Sequence, residues 1–180
     1  MDNISKEESV SDVLLQYGLI STLVSILYYV GLYLMGAESY LKPIAYFSYA
    51  IPILFAVIAS VKVKRSKLYL PFGDALKIIF GVFVLSFFGL SLFSFILNNY
   101  IDTAFAERTI QLTVQKTQEM LLSLNVPQSE IDKQIKIILS MNMYSFSSIM
   151  RGFFYQCIFL FLLSLIIAAI VKKNKPEFTT

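Results

Sequence analysis

At 180 residues, with 57% hydrophobic and only 15% charged side chains, the chain is too apolar for an ordinary soluble domain, about a quarter of whose residues carry charge. Its formal charge of +3 sits beside apolar runs rather than on one basic face, which argues against a nucleic-acid partner. With no histidine and a single cysteine, Cys157, it lacks the commonest metal ligand and general base and cannot close an internal disulfide.

The N-terminal segment sets Lys6 against Asp2, Glu7, Glu8 and Asp12, unlike the basic start of a signal peptide, so the first apolar run reads as a retained helix. Four uncharged segments follow, at 13–37, 43–61, 78–101 and 152–171. Each is long enough, at about 1.5 Å per helical residue, to cross a hydrocarbon core of about 30 Å. Backbone polar groups in lipid must pair within the segment, and the short alternating strands of a barrel are missing, so each segment predicts a transmembrane helix. The whole chain, 1–180, reads as one all-α integral membrane domain.

In the first span Gly18, Ser21, Thr22 and Ser25 share a helical face, and the third offers Gly81, Ser86, Gly89 and Ser94. Small residues let backbones approach and hydroxyls bond across the contact, which makes Gly18, Thr22, Ser25 and Gly89 candidate helix-packing positions, within this chain or between copies. A tight turn at 38–42 makes the first two spans antiparallel neighbours. Pro52 in the second span predicts a kink around 48–52. The 62–77 connection carries Lys62, Lys64, Arg65, Lys67 and Lys77 against one acid, Asp74, which suits the positive N-terminus of the third span.

Residues 102–151 form a separate polar unit that reads as an αα-hairpin. Its first helix places Ile101, Phe105, Leu112 and Leu121 on a rough apolar face, and Asn125 and Pro127 mark the turn. In the second helix Ile131, Ile135, Ile138 and Leu139 form an apolar stripe, of which Ile131, Ile135 and Ile138 are the candidate interaction residues. Residues 140–148 read either as a loop or as the start of the fourth helix. The basic residues of the N-terminus, the 62–77 connection and the Lys172, Lys173 and Lys175 tail outnumber those on the other side. By the positive-inside rule both termini are cytoplasmic and the hairpin is extracytoplasmic. Nine tyrosines then fall in the external half, where they suit a headgroup belt or the rim of a lipid or apolar-ligand groove.

No P-loop, GxSxG elbow, cysteine pair or metal-ligand spacing occurs, and the four uncharged segments hold no ionisable Asp, Glu, Lys, Arg or His. The sequence therefore predicts a protein that is not an enzyme, with no cofactor and no metal, whose partners are membrane lipid and a protein partner or a second copy. An accessory or interaction protein using its hairpin is the leading expectation, and an oligomeric small transporter or channel subunit is the alternative.

Five short elements occur in a fixed order. They are Tyr17-Gly18-Leu19-Ile20, Phe72-Gly73-Asp74-Ala75-Leu76-Lys77, Tyr100-Ile101-Asp102, Pro127-Gln128-Ser129-Glu130-Ile131 and Ala168-Ala169-Ile170-Val171-Lys172-Lys173. In that order and spacing the chain resembles an uncharacterised bacterial membrane family catalogued as domain of unknown function 4199, over nearly its whole length. It departs at Asp74, where the family pattern more often has a neutral polar residue. The resemblance implies a bacterial cytoplasmic membrane and four helices with an extracytoplasmic hairpin; it implies no activity, cofactor or catalytic residue.

Overall fold

The computed structural model of the chain describes residues 9–174; Asp2, Lys6, Glu7, Glu8 and Lys175, which bear on the charge asymmetry, lie outside them. Among the described residues six α-helices follow in order: α1 (Val10–Leu34), α2 (Phe47–Lys67), α3 (Phe72–Ile96), α4 (Thr103–Ser123), α5 (Gln128–Ser140) and α6 (Phe146–Val171). Among the described residues there is no strand, and Leu70 and Lys173 form an isolated antiparallel bridge. Four segments, Val10–Leu34, Pro43–Lys67, Phe72–Ile101 and Phe146–Val171, are long and apolar enough to cross a bilayer. The chain is thus an all-helical, multi-pass membrane protein.

Helix ends follow capping chemistry rather than the limits of the uncharged runs. The Ser9 hydroxyl accepts from the Asp12 N–H at 3.1 Å while the Asp12 carboxylate accepts from the Ser9 N–H at 3.3 Å. This reciprocal box starts α1 at Val10, before the uncharged run begins. The helix stops at Leu34, short of the expected end at 37, and the chain turns at Gly36, whose φ of 96° lies in the left-handed region. Two 3₁₀ turns, Ala37–Leu41 and Pro43–Tyr46, lead into α2.

Pro52 is buried in the second turn of α2, and its missing N–H leaves the Ser48 carbonyl without the usual helical donor. The expected loop at 62–77 shrinks to 68–71, because α2 runs on through Lys62, Lys64, Arg65 and Lys67 before Leu68 closes it at φ 61°. Those cations suit the negative end of the helix. Asp74 lies in the first turn of α3, where an acid suits the positive end of the helix, and makes no side-chain cap bond there. At the far end one π-turn, Leu97–Ile101, leads to Asp102. The Ser145 hydroxyl accepts from the Ser148 N–H at 3.2 Å, which caps α6 and leaves 141–145 as the loop.

The central element is α3, which packs on α1, α2 and α6 and contributes the fully buried Ile78, Ile79, Val82 and Phe83. Its seam with α1 keeps one register. Leu14 fills the space over Gly81, Leu85 that over Gly18, and Thr22 that over Gly89. Each step is four residues on both helices, so a large side chain on one side always meets a glycine on the other. The Ser21 and Ser86 hydroxyls hydrogen-bond across the same seam at 2.8 Å.

Candidate functional site

The hairpin is joined to the bundle by a polar and aromatic junction. Asp102 caps α4, its carboxylate accepting from the Phe105 N–H at 2.8 Å and from the Tyr33 hydroxyl of α1 at 2.9 Å. Those two bonds hold its carboxyl below the ordinary range, the backbone donor contributing most. Around them the rings of Tyr29 and Tyr40 meet edge to face at 4.9 Å, as do those of Tyr33 and Phe105 at 4.8 Å and of Tyr40 and Phe105 at 5.4 Å. The Tyr40 hydroxyl donates to the Tyr29 carbonyl at 3.0 Å, and burial pushes its pKa well above the phenol range. Asn99 donates to the Tyr144 carbonyl at 2.8 Å, which ties the end of the hairpin back to the π-turn after α3. The Asn98 Oδ1 is buried here with no partner among the described residues.

From this junction α4 runs over the Ala37–Leu41 turn, and α5 packs on α4. Ile131 is fully buried there, while Ile135 and Ile138 are half-buried; Leu139, expected on the same stripe, is instead exposed, because eight positions from Ile131 carry it about 80° round the helix. On α4, Phe105 is buried and Leu112 and Leu121 are half-buried; Ile101, expected on the same face, is instead exposed, because it ends the π-turn rather than opening the helix. The turn places Asn125 at φ 56°, with its N–H bonded to the Leu122 carbonyl at 3.0 Å. Met120, Leu122, Leu124, Ile137, Leu139 and Met141 face outward.

A second feature lies below the hairpin. An apolar groove of about 790 Å³ opens between α2 and α6 on the side of α3. Its floor is Phe83, Phe87 and Leu160, and Tyr46, Tyr49 and Tyr155 stand at its hairpin end.

A family model described as protein of unknown function (DUF4199) matches residues 16–173. The chain belongs to that family. No curated protein and no solved structure matches it. The DUF4199 match runs from α1 into the residues that follow α6, so junction, hairpin and groove all fall inside it.

Of the residues singled out in this DUF4199 chain, Gly18, Thr22 and Gly89 meet at the α1/α3 seam, where the Thr22 hydroxyl donates to the Gly18 carbonyl at 2.8 Å. Ser25 lies buried, and its hydroxyl has no partner among the described residues. Ile131, Ile135 and Ile138 stand apart from these, on the hairpin. The sequence reading missed the Asp102–Tyr33 bond and the Tyr29–Tyr40–Phe105 cluster. An aspartate just after an apolar run is a visible capping signal, but its tyrosine partner is 69 positions away and carries no local mark.

Proposed function

We propose that this is a non-enzymatic accessory protein of the bacterial cytoplasmic membrane, with both termini in the cytoplasm and the α4–α5 hairpin outside as its contact element. One observation carries the reading. Exposed apolar residues on the spans face lipid, but Leu122 at 50%, Leu124 at 65%, Leu139 at 62% and Met141 at 56% exposure lie outside every span. An outward apolar set beyond the membrane segments is the mark of an interaction surface.

The alternative, an oligomeric transporter or channel subunit, draws on the unpartnered Ser25 and Asn98 oxygens, which a water-lined path would satisfy. Photo-crosslinking amino acids placed in the full chain at Leu124, Leu139 and the lipid-facing Phe154 separate the two in intact cells. The contact reading expects a discrete protein adduct from the hairpin sites that is lost on Leu122→Lys. Adducts from Phe154 to a second copy, with none from either hairpin site, would overturn it in favour of the oligomer.

A further inference from the structure

The groove between α2 and α6 runs from Tyr46 and Gly152 to Ile53 and Leu163. Beyond it, where the two helices finish, the Lys64 ammonium donates to the Val171 carbonyl at 3.3 Å, and Leu70 and Lys173 exchange backbone bonds at 2.8 Å. Toward the hairpin the space between the two helices is floored by Phe83 and Phe87 of α3, both buried. Because α2, α3 and α6 are all membrane spans, the opening faces hydrocarbon, and its occupant must be apolar along most of its length. The groove's 790 Å³ falls within the size of ligand sites, about 300–1,000 Å³.

Its hairpin end has a different chemistry. The hydroxyls of Tyr28, Tyr29, Tyr33 and Tyr40 all have hydrogen-bond partners, whereas those of Tyr46, Tyr49 and Tyr155 have none among the described residues. One turn before Tyr155 and two before Phe159, both of which line the groove, the same face of α6 carries Arg151. Arg151 is exposed, and no described residue forms an ion pair or hydrogen bond with its guanidinium. The groove lining itself holds no charge. An apolar trough with free phenol hydroxyls at one end, on a helix face that carries an unpaired arginine one turn beyond Tyr155, is complementary to an anionic amphiphile. A guanidinium takes a phosphate by two parallel bonds, and phenols suit the headgroup level.

We propose that the groove binds one acyl chain of an anionic phospholipid from the hairpin-side leaflet, with Arg151 holding the phosphate. The chain contains no tryptophan, so Phe159→Trp introduces a single reporter in the groove, and Phe154→Trp one on the lipid-facing surface outside it. The full-length protein is reconstituted in phosphatidylcholine vesicles doped with brominated phosphatidylglycerol or with brominated phosphatidylcholine, and tryptophan quenching is titrated. Both lipids carry a phosphodiester, but the quaternary ammonium of phosphatidylcholine offsets its charge, so the uncompensated anion of phosphatidylglycerol is expected to be preferred about tenfold by an unpaired guanidinium. The Phe159→Trp reporter is therefore expected to reach half-quenching at about a tenfold lower fraction of the anionic lipid, while the Phe154→Trp reporter treats both lipids alike. Arg151→Gln should abolish the preference and Arg151→Lys should keep part of it. Equal quenching by both lipids at the groove reporter would overturn the proposal and leave only bulk lipid. Absence of quenching there by either lipid would overturn it in favour of a protein segment covering the groove. A preference that survives Arg151→Gln would remove the phosphate contact on which it rests.

Discussion

At Gly89 a single hydrogen stands where any other residue would place a carbon against Thr22 Cγ2. Thr22 is β-branched, so it has few rotamers in a helix, and its hydroxyl is committed to the Gly18 carbonyl at 2.8 Å. Rotating the methyl away would break that bond. Gly89→Ala should therefore cost about 1–3 kcal/mol, the usual range for overpacking. Thr22→Ser removes the methyl and keeps the hydroxyl, so adding it to Gly89→Ala should recover most of the loss, as measured by thermal unfolding in detergent. Losses that simply add in the double variant would show that the two groups do not meet. The composition of this face is legible in the sequence, since Gly18, Thr22, Ser25 and Gly89 stand out in apolar runs. Its partner is not, because a four-residue repeat of small residues serves a neighbour in the same chain and one in another copy equally well.

The helices themselves are legible because lipid forbids other backbone arrangements over long apolar runs, and their ends are not, because an uncharged run says nothing about caps. The Ser9–Asp12 box begins α1 with a charged residue inside it, and α2 carries four cations within its last six residues. The hairpin was marked by its change in composition, yet its two helices depend on packing in different ways. Thr103–Ser123 rests on the 3₁₀ turn and the π-turn as well as on α5, whereas among the described helices α5 packs chiefly on α4. An isolated helix of 13 residues is marginal in water, so its order rests on the stripe beginning at Ile131. Burial of that side chain contributes about 1.5–3 kcal/mol. Ile131→Asp would forfeit it and bury a charge, while Gln134→Asp changes an exposed position. Limited proteolysis of the purified protein should cut the first variant within α5 much faster than the wild type and leave the second close to it. Equal resistance of both variants would mean that the stripe does not anchor α5.

At the scale of the molecule, the packing gathers charge that is scattered along the sequence. The Lys77 ammonium donates to the Ser11 hydroxyl at 3.0 Å, that of Lys62 to Gln16 at 3.3 Å and that of Lys64 to the Val171 carbonyl at 3.3 Å. The start of α1, the end of α2, the start of α3 and the end of α6 therefore share one end of the bundle, with Arg65, Lys67, Lys172 and Lys173 close by in sequence. On the hairpin, the cations Arg108, Lys116, Lys133 and Lys136 are matched by Glu107, Glu119, Glu130 and Asp132, with Lys116–Glu119 at 3.0 Å and Lys133–Glu130 at 2.6 Å. Exposed pairs of this kind add little to stability. What bears on orientation is the number of Lys and Arg in the short connections at the other end, since acids weigh little in the rule. The expectation is that the crowded basic end stays in the cytoplasm. With Cys157 first replaced by alanine, Ser129→Cys on the hairpin and Ser66→Cys near the end of α2 place single thiols at exposed positions on opposite ends. An impermeant maleimide should label Ser129→Cys in intact spheroplasts and Ser66→Cys only after permeabilisation. The reverse pattern would place the hairpin in the cytoplasm, and the residues at its tip, Leu122 and Leu124, would then meet partners on that side of the membrane instead.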